Sequence, residues 1–229
     1  MQVKKGDFVE MEYTGKIKEG NIIFDTTNEE TAKKANIWNQ QTGYNAVIIC
    51  VGHQQLLKGI DTALEGADVN KEKTIDIKAE DGFGKKRADL IQLVATAKFR
   101  KHGITPMPGL QVNIDDTIGM IKTVTGGRTL VDFNHPCAGK ELIYVCTVKR
   151  IVTDTKEKLH AVMQQLFGKQ LVDSIEIKEN KAKITLRMEL PTEIQEKCTT
   201  KAKELIPEIT EIEYTAAAQT KVMPDINKA

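Results

Sequence analysis

The stretch VGHQQLLKGIDTALEG, residues 51–66, decides how the first half of the chain folds. Leu56, Leu57, Ile60 and Leu64 recur at helical spacing, and Gly66 stands where a helix end takes up left-handed backbone, so one short helix is expected. Just before it, Val47 to Val51 is an unbroken apolar run closed by Gly52, the pattern of a short buried strand. Further out, Val9, Met11 and Tyr13 alternate with Glu10 and Glu12 from Asp7 to Tyr13, a half-exposed strand after which Gly15 marks a turn. Lys73 to Ala79 alternates again, with Ile75, Ile77 and Ala79 on one face. Leu142 to Val148 is apolar on both faces and reads as a central strand covered on each side. An antiparallel sheet wrapped on one short helix follows.

Between Gly84 and Asn134 the alternation is interrupted by what reads as an insertion. A strand over Asp89 to Thr96 and a basic turn at Lys98 to His102 are followed by Pro106 and Pro108. Ile118 to Thr125 and Arg128 to Phe133 then flank Gly126-Gly127, a pair able to occupy the positive dihedrals of a two-residue hairpin turn. After Thr153, Leu159, Val162, Met163 and Leu166 define an amphipathic helix with Gly168 at its end. Strands at Ile175–Ile177 and Ile184–Met188 meet at a turn near Glu179-Asn180, Pro191 opens a helix carrying Ile194, Cys198 and Leu205, and Thr210 to Tyr214 alternates as a last strand. This order argues for a compact α+β unit, while Ala216 to Ala229 offers little to bury and is expected to fray.

At 229 residues and 40% hydrophobic, the chain has room for one large domain or two to three small ones. Lys plus Arg number 33 against 32 Asp plus Glu, so charge gives no reason to expect nucleic acid or an anionic membrane as partner. The apolar runs fall far short of the roughly 18 to 20 residues that cross a bilayer, and the start MQVKKGDF has no apolar signal core. Cys50, Cys137, Cys146 and Cys198 are widely spaced, which fits buried thiols in a reducing, cytoplasmic setting. The glycines near Gly126 lack the Gly-Lys-Ser/Thr ending of a phosphate loop, which argues against ATP-driven work.

The chemistry-bearing pieces are YTG at Tyr13, FDTT from Phe24, EDGFG from Glu80 and NHPCAGKELIYV from Asn134. Together with the helix at residues 51–66 they describe an apolar, aromatic-walled pocket with one acid at its edge and no nucleophile. Taken singly, a Phe or Tyr facing a sheet is core packing, and Asp25 before Thr26-Thr27 forms a turn. In this order and spacing the set resembles the FKBP-type peptidyl-prolyl isomerases of the SlyD-like class, in which an insert-in-flap domain interrupts the sheet after an aromatic-Gly motif, here Phe83-Gly84. The stretch beyond Asp154 and the polar segment Asn28 to Tyr44 are similar to those of the long archaeal FKBPs.

The resemblance implies an α+β fold with a discontinuous isomerase domain at residues 1–86 and 134–153, a β-rich insert at 87–133 and a C-terminal α+β domain at 154–229. It implies rotation about X-Pro bonds of unfolded or nascent polypeptides, with no cofactor. Tyr13, Phe24, Asp25, Leu56, Leu57, Ile60, Phe83 and Tyr144 line the implied pocket, with Val47, His135 and Cys137 as neighbours. Two positions depart from the family: Ile60 stands where many members have Trp, and Tyr144 where Phe is common. The insert, with Ile91, Leu93, Phe99, Ile104, Met107, Met120 and Val124, is implied to capture apolar chain segments. The C-terminal domain could serve as a dimerisation surface, a second chaperone surface or a ribosome contact; a homodimer is the default expectation, since a small α+β unit with an open sheet edge can pair symmetrically. The competing reading is a holdase-type chaperone whose isomerase unit is a degenerate scaffold. Cys50…His53 and His135…Cys137 are only pairs and do not close a tetrahedral metal site.

Overall fold

The computed structural model describes residues 1–168 and 170–216; the tail expected to fray lies, from residue 217 on, outside the described residues. The first half forms β1 (Phe8–Ile17), β2 (Ile22–Thr26), α1 (Glu29–Lys34), β3 (Val47–Cys50), α2 (Lys58–Leu64) and β4 (Glu72–Ile77). After the insertion the chain returns as β9 (Leu142–Val152). β9 lies between β1 and β4, and every pairing in this sheet is antiparallel. Leu142, Tyr144, Cys146 and Val148 are buried on one face, whereas Ile143, Val145 and Thr147 on the other are only half-buried, so the strand is not fully covered on each side. β2 pairs with Thr14–Ile17 and β3 with Phe8–Met11, so these two strands share one edge of β1 end to end. α2 covers one face, burying Ile60 and Leu64 beside Ile75 and Ile77. It lies so close that a Cβ on Gly59 would stand 2.9 Å from the Ile77 side chain.

Gly15 is not a turn. β1 runs through it to Ile17, and its bare backbone lies under the Tyr144 ring, where an added Cβ would stand 2.8 Å from Cζ. The polar segment after Asn28 contains α1, capped by the Asn28 carboxamide accepting from the Thr31 amide at 2.9 Å.

The insertion comprises β5 (Ile91–Ala95), α3 (Thr96–Lys101), β6 (Gln111–Ile114), β7 (Thr117–Thr125) and β8 (Arg128–Asp132), in sheet order β5-β8-β7-β6. Gly126 and Gly127 take φ of 57° and 78° in the hairpin turn. Lys98 to Lys101 is helical, with His102 in the turn that follows, because Phe99 anchors α3 on Val112, Ile121 and Val131. Where the chain leaves and returns, the Arg87 amide donates to Asn134 Oδ1 at 2.8 Å and Asn134 Nδ2 donates to the Arg87 carbonyl at 3.0 Å.

The last part forms α4 (Thr155–Phe167), β10 (Val172–Lys178), β11 (Lys181–Leu186), α5 (Thr192–Leu205) and β12 (Glu211–Ala216). β12 joins β11 in parallel through the α5 crossover, while β10 and β11 are an antiparallel hairpin. The whole is a mixed α+β fold of three mainly antiparallel sheets. The core under α4 and α5 also contains Phe8, Cys50 and Val152, the ends of β1, β3 and β9 that face away from α2. The first and last sheets are therefore joined through a common apolar core rather than strung on a linker.

Candidate active site

The site begins with an irregularity. Across β1 and β2, Thr14 pairs with Thr26, Gly15 with Asp25 and Lys16 with Ile23, so Phe24 is an extra residue in its strand. Neighbouring residues on a regular strand face opposite ways; the bulge re-aims them. Phe24 packs on the apolar core while Asp25 accepts a hydrogen bond from the Tyr13 hydroxyl at 3.1 Å. The two threonines of FDTT hold Tyr13 from behind. Thr27 Oγ1 accepts from the Tyr13 amide at 2.9 Å, the Thr27 amide donates to the Tyr13 carbonyl at 3.0 Å, and Thr26 Oγ1 donates to that carbonyl at 3.2 Å.

Phe83 arrives on the turn after β4. The Gly139 amide donates to the Gly84 carbonyl at 2.8 Å, which ties that turn to the one carrying His135. The two rings stack, and His135 Nδ1 accepts from the Cys137 amide at 3.1 Å, which fixes the imidazole. Phe24 stands edge-on to both Phe83 and Tyr144, with centroids 5.9 Å apart in each pair, and Tyr144 meets Tyr13 at 5.8 Å. Leu57 caps the start of α2, Ile60 is buried beneath, and Leu56 and Val47 complete one side. All eight expected pocket residues and the three neighbours thus come together. The substituted floor position, Ile60, is a buried packing residue; the Tyr144 ring is 3% exposed, and among the described residues no fully buried side-chain polar atom lacks a partner.

Burial raises the Asp25 carboxyl above its ordinary pKa, opposed by the Tyr13 hydroxyl and the Thr26 amide. Burial likewise raises Tyr13 and Tyr144, helped by the Asp25 charge, so both phenols stay protonated. Burial pushes the Cys146 thiol up to about 12 and raises Cys137, leaving no thiolate nucleophile near the box. An aromatic cluster with one acid beside it and no thiolate suits conformational work on an apolar ring rather than bond cleavage. Among the described residues, no three His, Cys, Asp or Glu side chains gather as a metal site needs, and no helix is long and apolar enough to cross a membrane.

Sequence reasoning missed the bracing residues. Thr26 and Thr27 were visible in FDTT, but their contact with Tyr13 depends on strand register. Asp61 accepts from the Gly52 and Gln54 amides at 2.8 and 2.9 Å and so shapes the loop leading into α2; nothing in its spacing announces this.

In the insertion the expected binding residues divide. Ile91, Leu93, Met107 and Met120 are exposed, joined by Ile118, which the sequence reading had not assigned to binding. The register row Ile91, Asp132, Met120 places Ile91, Leu93, Met120 and Ile118 on one sheet face. Phe99 is 4% exposed, and Ile104 and Val124 pack with it in the insert's own core, so these three do not form the open surface. A cleft of about 560 Å3 runs from Ile118 and Met120 past Phe133 to His135, whose ring also walls the aromatic box.

Residues 1–100 match the family model described as FKBP-type peptidyl-prolyl cis-trans isomerase, and residues 92–137 match that described as FKBP26, IF domain. The chain is 33% identical over 149 residues to a short-type peptidyl-prolyl cis-trans isomerase of Methanocaldococcus jannaschii, covering 65% of this chain and 94% of that one. It is 26% identical to the FKBP-type isomerase SlyD of Vibrio cholerae, covering 66% of this chain and 77% of the relative.

Proposed function

We infer, for a chain that belongs to the FKBP-type peptidyl-prolyl cis-trans isomerase family, that catalysis takes place in the box of Tyr13, Phe24, Phe83 and Tyr144 over Leu57 and Ile60. As an enzyme of this family it acts on polypeptides, rotating X-Pro amides. That rotation faces a barrier of about 18–20 kcal/mol between wells only about 0.5–1 kcal/mol apart, and it makes and breaks no covalent bond. The twisted amide is less conjugated and less dependent on water than the planar one, so an apolar enclosure favours it. In this reading Asp25, held by the Tyr13 hydroxyl, acts through its field on the rotating carbonyl and amide nitrogen. The observation that carries this reading is the edge-on meeting of Phe24 with both Phe83 and Tyr144, beside the hydrogen-bonded Tyr13–Asp25 pair. The test is NMR exchange on a short X-Pro peptide, whose uncatalysed isomerisation takes tens to hundreds of seconds. Wild type speeds it and a Phe24→Ala, Asp25→Ala variant does not; equal rates would move the chemistry elsewhere.

The same reading gives the exposed face of the insert, with Ile91, Leu93, Ile118 and Met120, the capture of apolar segments of unfolded chains. Its support is the cleft that leads from that face to His135, whose ring stacks on Phe83. The division into an isomerase domain at 1–86 and 134–153, an insert at 87–133 and a C-terminal domain from 154 belongs to this proposal, supported by the Arg87–Asn134 bonds at the insert's neck. A homodimer would form along the edge of β10 or β12 that carries no further strand among the described residues, checked by sedimentation. The four buried, unpaired cysteines support a cytoplasmic setting.

A further inference from the structure

A second concavity lies where the isomerase sheet meets the C-terminal unit, a cleft of about 370 Å3 between β3 and α4. That is within the range of ligand sites, about 300–1,000 Å3. Tyr13, Val47 and Leu56 line the cleft and also pack with the aromatic box, so the two adjoin. The opposite wall is α4, through His160, Ala161, Gln164 and Gln165.

No Lys, Arg, Asp or Glu lines the cleft; its polar groups are amides, an imidazole and the Tyr13 phenol. Among the described residues, the side chains of Asn45, His160 and Gln164 have no hydrogen-bond partner within the chain. Carboxamides both donate and accept, which matches the alternating N–H and C=O of an extended main chain, and a wall without Lys, Arg, Asp or Glu sets no strong charge preference for the bound side chains. The wall is also fixed. Gln165 Nε2 donates to the Gln55 carbonyl at 3.2 Å, and the Gln55 carboxamide accepts from the Cys50 amide at the end of β3. Arg150 joins Glu10 of β1 to Glu157 of α4. Leu159, Val162 and Met163 of α4 share a core with Phe8 and Cys50. A site held in this way loses little freedom when it is filled.

We propose that this cleft is a subsite of the isomerase that takes the extended main chain flanking the isomerised proline, which makes α4 of the C-terminal unit part of the substrate site. The proposal rests on the box being the prolyl site.

The test uses the full chain and NMR exchange on two peptides with the same X-Pro centre, a tetrapeptide and a version extended on both sides. In wild type the extended peptide has the higher kcat/KM, through a lower KM. The ratio of extended to short falls about fivefold in Gln164→Ala, as expected for one hydrogen bond to a peptide. It falls to about one in Ala161→Trp, whose indole fills the cleft. Taking the ratio within each variant cancels a general loss of folded protein, and the wild-type side-chain amide signals of Gln164 and Asn45 shift when the extended peptide is added. No length advantage in wild type, or the same advantage in both variants, overturns the subsite and leaves the box standing. Failure of wild type to speed the tetrapeptide overturns the box itself, and unshifted amides would then remove the cleft as a peptide site as well.

Discussion

The Tyr144 ring lies against the bare backbone of Gly15 on the neighbouring strand, so close that a Cβ at Gly15 would stand 2.8 Å from Cζ and 2.9 Å from Cε1. The rear wall of the box is thus set by the absence of a side chain. Gly15→Ala forces the ring forward into the enclosure. The expected cost is about 1–3 kcal/mol of stability, the usual penalty for overpacking, together with a loss of isomerase activity. Urea unfolding and peptide exchange measure both, and combining Gly15→Ala with Tyr144→Leu costs less stability than the sum of the single changes.

Phe24 is half-buried and touches two other walls edge-on, so truncating it opens the box without emptying the main core. Phe24→Ala lowers kcat/KM on a short X-Pro peptide roughly a hundredfold, equivalent to about 2.7 kcal/mol of transition-state stabilisation. A chain still folded by circular dichroism, with only that residual catalysis, is the expected result.

Asp25 titrates above an ordinary carboxyl because burial penalises its charge. The native state therefore holds the proton more tightly than the unfolded chain, and stability falls as pH rises from the unfolded value through the raised native one. Asp25→Asn stabilises the protein at about pH 7 and loses that advantage below the ordinary carboxylate range. Urea unfolding at the two pH values checks the sign. In exchange assays wild-type kcat/KM declines as acid protonates Asp25, whereas the Asn variant is flat and roughly tenfold lower at neutral pH, as for one lost charge-assisted contact.

Leu93 and Ile118 stand 63% and 59% exposed on the insert. Replacing both with Ser weakens suppression of aggregation of an unfolded protein by at least about fivefold, since each apolar side chain is worth up to about 1.5–3 kcal/mol when covered. Turnover of a tetrapeptide changes far less. Light scattering and peptide exchange on the same preparation separate the two.

Phe8 is 2% exposed and belongs to the core under α4 and α5 although it is carried by β1. Phe8→Ala costs about 3–5 kcal/mol. Hydrogen exchange then speeds up in β11 as well as in β1, because the two sheets open through one core.

What the sequence revealed and what it hid divide along a physical line. The Gly126-Gly127 hairpin, the helix before Gly66 and the doubly apolar run at Leu142 are set by neighbours within a few residues, and all three formed. The eight pocket positions were reached only through their order along the chain, since each aromatic alone is indistinguishable from core. Gly15 was misread because a glycine in a turn and a glycine beneath a distant ring look the same until the Tyr144 strand is in place. Phe99 was misassigned for a similar reason: composition says that the insert has more apolar groups than it can bury, and only the sheet register says which ones. The parallel pairing of β12 and the cleft beside α4 depend on contacts between remote segments, and no local pattern encodes them.

β9 is an eleven-residue strand with Tyr144 near one end and Val152 at the other. At about 3.3 Å per residue the eight steps between them span roughly 26 Å. The insert re-enters the chain at the first end, and the C-terminal unit leaves from the second. Tension on either appendage would therefore load the same stave that positions the pocket wall. A slip of one residue along that stave would turn Tyr144 to the opposite face, so its long ladder with β1 acts as the latch that keeps the enzyme in working alignment under tension.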